Sequence, residues 1–100
     1  MPKLYEYAGI VFYFYANEHL PIHVHASYGE YETIFELLFE QGALAEIRTR
    51  KSKGIEPLPP VKLKEAKKFV KVYAEAIADK WTAYFVKNAR IESERITEKL

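Results

Sequence analysis

All three histidines of the chain fall within seven positions: His19, His23 and His25, in the segment Asn17 to Tyr28 that reads N-E-H-L-P-I-H-V-H-A-S-Y. Imidazole titrates near neutrality, donates or accepts a proton, and ligates metals. His23 and His25 are two apart, so on a strand their rings leave the same face roughly 6.6 Å from each other. That separation lets them converge on a divalent metal such as zinc, with His19 or Glu36 as a third ligand. Alternatively, Glu36 opposite His23 would favour the imidazolium. Two histidines in unlike surroundings could then divide acid and base roles in cleaving RNA or another phosphodiester, making His23, His25 and Glu36 the catalytic candidates. Tyr13, Tyr15 and Ser27 would supply hydrogen bonds or base stacking. In a third reading, His19 braces the turn from Asn17 to Pro21, and His23 and His25 are half-buried strand residues bonded to Glu32, Glu36 or backbone carbonyls. A polar sheet face rich in tyrosine is also what a partner-binding surface looks like. The residue types leave all three readings open.

The elements that must position these side chains follow from periodicity. Gly9 opens Ile10 to Ala16, a β-branched and aromatic run that favours a strand leading into the histidines. Asn17 to Pro21 interrupts it. His23 to Tyr28 alternates again, and Gly29-Glu30 fits a two-residue hairpin turn with Gly at the first central position. Register then follows: Tyr28 faces Tyr31, Ala26 faces Thr33 and Val24 faces Phe35 on the core side. Ser27 faces Glu32, His25 faces Ile34 and His23 faces Glu36 on the polar side. Glu40-Gln41-Gly42 turns the chain into a weaker strand, Ala43 to Thr49, with Leu44 or Ile47 inward. The segment Arg50 to Pro60 is a charged, proline-rich loop.

From Val61 the period becomes helical, with Leu63, Ala66, Phe69, Val70, Tyr73, Ile77, Trp81, Tyr84 and Phe85 on one stripe. Trp81 reads as a core anchor where helix meets sheet. An unbroken helix to Arg90 would run roughly 45 Å, longer than the sheet beneath it. A bend is therefore expected near Ala78-Asp79, with Asp79 as the cap of a second helix. The predicted fold is α+β in a single domain spanning the chain. An antiparallel meander of three or four strands over about 9–49 precedes one long bent helix, or two consecutive helices, over about 61–90. The helices pack on one face, the histidine face stays open, and 91–100 forms a charged, frayed helical tail.

Composition narrows the function classes. With no cysteine in 100 residues, disulfides, thiolate zinc sites and cysteine nucleophiles are excluded. No window approaches the ~20 apolar residues of a membrane helix, and no signal-peptide pattern opens the chain, so the expectation is a soluble cytoplasmic protein without membrane association. The net charge of +1 hides an asymmetry: positions 1–47 carry −6 and positions 48–80 carry +6. Such a split is most often two solvated faces, but it can also make the chain self-complementary as a homo-oligomer. Arg48, Arg50, Lys51 and Lys53, joined to Lys64, Lys67, Lys68 and Lys71, could form a basic patch that meets phosphate.

The order Gly9-Ile10, Tyr15, Asn17, His19, then Pro21-Ile22-His23-Val24-His25-Ala26-Ser27-Tyr28 resembles the small bacterial proteins of the domain of unknown function 4160 family. Their hallmark runs G-I-x-I-x-x-Y-x-x-D-H-x-P-P-H-F-H-A-x-Y. The likeness continues through Tyr31-Glu32, Gly42, Leu58-Pro59 and an aromatic helical half, to about Arg90. Ile22 replaces a proline, Val24 replaces Phe, and Tyr73 and Phe85 stand where Trp is common. The loop from Arg50 to Leu58 is longer than usual. The resemblance carries no established chemistry. It implies one half of a two-gene unit similar to toxin–antitoxin pairs, partnered by a small protein from the adjacent gene, with His19, His23 and His25 at the signature positions.

Overall fold

The computed structural model describes residues 2–15 and 21–100 of the chain. In chain order its elements are β1 (Lys3–Tyr7), β2 (Ile10–Tyr13), β3 (Ile22–Tyr28), β4 (Tyr31–Glu40), β5 (Ala43–Lys51), α1 (Pro60–Val72), α2 (Ala74–Phe85) and β6 (Glu94–Ile96). The strands form one sheet in the order β5-β4-β3-β2-β1-β6. The α+β class holds, but among the described residues there are six strands rather than three or four. The sheet is mixed, because β6 runs parallel to β1.

The β3–β4 hairpin has the expected register throughout, from Tyr28 opposite Tyr31 to Ile22 opposite Leu37. Gly29 makes it possible, adopting φ 59° at no steric cost where a side chain would be strained. β1 escapes a pattern-based reading because its turn to β2 is Ala8-Gly9, with both residues at positive φ (52° and 79°). Alanine is an uncommon choice there. Two neighbours hold the turn in place: Lys62 of α1 donates to the Ala8 carbonyl at 2.7 Å, and the Tyr28 ring lies 3.2 Å from where a Cβ on Gly9 would stand.

Both Leu44 and Ile47 pack inward, although they are three residues apart. A bulge reconciles them. Leu37 pairs with Ile47 and Phe39 with Leu44, so the extra residue Ala45 restores the same-side alternation.

The helices cover the face presenting Val24, Ala26, Phe35 and Leu37, with α1 over β4 and α2 over β3. Pro60 occupies the first turn of α1, where a missing N–H costs nothing. The interruption falls at Tyr73 rather than near Ala78-Asp79, and Asp79 lies inside α2. The cause is aromatic packing. The Tyr73 ring stacks on Phe69 at 4.4 Å and leans on Tyr5 at 5.2 Å, so the chain turns where those rings hold it to the sheet. Phe69 is the hub, with Tyr5, Tyr7 and Phe12 within 5.3, 5.0 and 4.6 Å. Trp81 is buried and contacts Phe85 at 5.1 Å.

The tail is not helical. Glu94–Ile96 pairs with β1, Arg95 bridges to Glu6 at 3.0 Å, and Glu94 reaches Lys80 at 3.1 Å. An open strand edge with complementary charges outcompetes the weak helical preference of a short charged segment. Among the described residues no helix is long and apolar enough to cross a membrane.

Because Phe69 touches rings of β1 and β2 and the Tyr73 ring, Phe69→Ala should lower unfolding free energy by about 3–5 kcal/mol. Urea denaturation would read this as a lower midpoint at an unchanged slope.

Candidate functional site

Strand alternation sends Val24 and Ala26 into the core and His23 and His25 to the opposite, helix-free face. Across that face Tyr13, His25 and Ile34 form one row, with Arg50 beyond Ile34. His23, Glu36 and Arg48 form the next. Val11, Ser27 and Glu32 form the row on the other side, with Ser27 between its two neighbours.

An open face is the expectation, but its centre is buried: His25 is 2% exposed and Glu32 5%, and His23, Tyr13 and Ser52 are buried with them. Side chains of the face itself close it. The rings of Tyr13 and Tyr15 lie 5.4 and 3.9 Å from the His25 ring, and Ser52, just past β5, reaches back over Glu32.

Glu32 is the centre of this cluster. Tyr13 donates its phenol to Oε1, Ser52 donates to Oε2 at 2.7 Å, Tyr15 donates to Oε2 at 3.3 Å, and His25 Nδ1 lies 3.3 Å from the same oxygen. Burial alone would raise the Glu32 pKa. The hydrogen bonds from Tyr13, Ser52 and His25 outweigh it and hold the carboxyl below its ordinary value, so it is ionised at neutral pH. Tyr13 is pushed the other way, by burial first and then by donating to this carboxylate.

An ionised carboxylate only accepts, so the hydrogen of His25 on that side sits on Nδ1. His23 is set alike: its Nδ1 donates to the Pro21 carbonyl at 2.8 Å. The two ring centres are 5.6 Å apart. Two imidazoles oriented through Nδ1 are prepared either as bases or as metal ligands.

The carboxylate expected beside His23 is engaged elsewhere. Glu36 does lie opposite His23, but it accepts from Arg50 at 3.1 Å, while Glu32 serves His25 diagonally across the ladder. Arg48 pairs with Glu46 at 2.9 Å. The basic patch is divided: Arg48 and Arg50 lie on the histidine face, whereas Lys67 and Lys71 lie beside β5 on the helix side. His19 lies outside the described residues, as does the turn at 17–20. Among the described residues no three His, Asp or Glu side chains come together to hold an ion. Ser52 belongs to the centre although it reads as part of a loop. Extending the pairing of Thr33 with Lys51 by one residue would have placed it beside Glu32.

A family model described as Domain of unknown function (DUF4160) matches residues 9–82, which spans the histidine hairpin, β5, α1 and most of α2. No curated protein and no solved structure matches the chain.

Glu32 sets a pH dependence. Its folded pKa lies below the ordinary 4.5, so its contribution to stability is complete above that pH and is lost as pH falls below it. Glu32→Gln should cost about 1–3 kcal/mol at pH 7. Urea midpoints measured from pH 7 to pH 3 should fall less steeply for this variant than for wild type.

Proposed function

The chain belongs to the domain of unknown function 4160 family, and from that premise we propose that it is one half of a toxin–antitoxin-like two-gene unit. It works in the cytoplasm through a small protein partner encoded by the adjacent gene. One observation carries this reading. The polar groups that are hardest to bury, a carboxylate and two imidazoles, are gathered on the sheet face that the helices do not use. Stability alone would favour apolar side chains there, since a buried charge network rarely outperforms them. A face built this way is held for recognition or chemistry.

A second reading, histidine-dependent cleavage of RNA or another phosphodiester, is favoured by the shared orientation of His23 and His25 through Nδ1. His25 with Glu32 behind it would act as base, and His23 as its acid partner. The same orientation suits a divalent metal such as zinc, with His19 completing the set.

Co-expression with the adjacent gene product tests the first reading. The expected result is a complex that survives size exclusion, together with a growth effect of this chain alone that the neighbour relieves. Unaffected growth and no complex would remove it. For the second reading, RNA incubated with purified protein should be cut by wild type and not by His23→Ala. Metal analysis of untagged wild type, His23→Ala and His25→Ala separates ligation from metal-free chemistry, because equal content in all three excludes these ligands.

A further inference from the structure

β5 is an outermost strand, hydrogen-bonded along β4 only. Its other edge presents the backbone donors and acceptors of a nine-residue segment that contains no proline. Beside that edge, on the helix side, runs a groove of about 250 Å³ lined by Leu44, Ala45, Glu46 and Ile47 of β5 and by Lys67 and Lys71 of α1. The bulge at Ala45 turns both Leu44 and Ile47 toward the helix side, which gives the groove an apolar floor.

The two sides of β5 differ in charge. Arg48 and Arg50, on the opposite face of β5, are each neutralised, by Glu46 and Glu36. Lys64, Lys67, Lys68 and Lys71 have no carboxylate within ion-pair reach among the described residues. Lys67 and Lys71, four apart on α1, therefore project a positive field over a bare strand edge with apolar flooring.

We propose that this edge docks an extended acidic segment of a protein partner, which adds to the sheet as a strand next to β5. Its apolar side chains rest on Leu44 and Ile47, and its carboxylates meet Lys67 and Lys71. The proposal rests on the reading that the chain works through a protein partner, and it adds a second contact apart from the histidine face. A second copy of this chain fits the edge poorly, because antiparallel β5 strands would bring the lysine pairs of both copies against one another.

The probe is a capped, fluorescein-labelled peptide repeating Thr-Val-Thr-Glu, whose valines and glutamates share one face of a strand, followed by anisotropy. Wild type should bind it. The charge-reversed variant Lys67→Glu/Lys71→Glu should bind at least about tenfold more weakly, and Lys64→Glu/Lys68→Glu should change affinity about twofold at most. Circular dichroism confirms that each variant folds. Hydrogen exchange should show new protection confined to β5. The same peptide with lysine in place of each glutamate should not bind, and its binding overturns the proposal. No binding to wild type, equal binding by both charge reversals, or protection elsewhere overturns the proposal. So does a wild-type dimer in sedimentation whose β5 amides are already protected. If the peptide binds as expected but the adjacent gene product does not, the two-gene reading fails and the docking edge stands.

Discussion

The turn at Gly29-Glu30 governs more of this molecule than any single contact does. With Gly29 at φ 59°, two residues suffice to reverse the chain, and every pairing between β3 and β4 is then determined. A slip of β3 by one residue would exchange its faces, carrying His23 and His25 under the helices and Val24 and Ala26 into the polar cluster. The aromatic hub around Phe69 and the carboxylate hub around Glu32 are thus alternative destinations for the same strands. The hairpin decides which residues go to each. Burial of Val24, Ala26, Phe35 and Leu37 under α1 and α2 makes the other register costly, so turn and core enforce the same answer.

On the helix-free side, four side chains share one carboxylate. Such a centre is stable only when complete, because each donor that leaves exposes the Glu32 charge to an apolar surrounding. Its members come from β2 and the segment just after it, β3, β4 and the residue after β5, and Glu32 N–H also donates to the Glu56 carbonyl at 3.0 Å. The loop after β5 is consequently fastened to the sheet at the same residue that orients His25. Any movement of that loop would be felt at the imidazole.

Much of this organisation was legible from residue types, and the rest was not for identifiable reasons. The faces of β3 and β4 were readable because a two-residue turn with glycine leaves no freedom in register. The partner of His25 stayed open among Glu32, Glu36 and backbone carbonyls, because Ile34 lies straight across from it and Glu32 reaches it only diagonally. The inward packing of both Leu44 and Ile47 depends on a bulge, which alternation cannot anticipate. Placing the helix break at Asp79 followed capping preference, whereas the rings of Tyr73 and Phe69 set it by tertiary contact. β1 was hidden by an alanine at φ 52°, clamped by Lys62 from far along the chain. β6 has no local signature of its own and exists because β1 has an edge to offer.

That last pairing has a consequence for how the protein is made. Glu6 and Arg95 are separated by 89 positions, so β1 leaves the ribosome well before β6 is there to seal its outer edge. Contacts this distant in sequence form slowly, since a long loop must close before any bond rewards it. Until β6 emerges, β1 carries an unsealed border, and in that interval a nascent chain is open to mispairing or to capture by a chaperone.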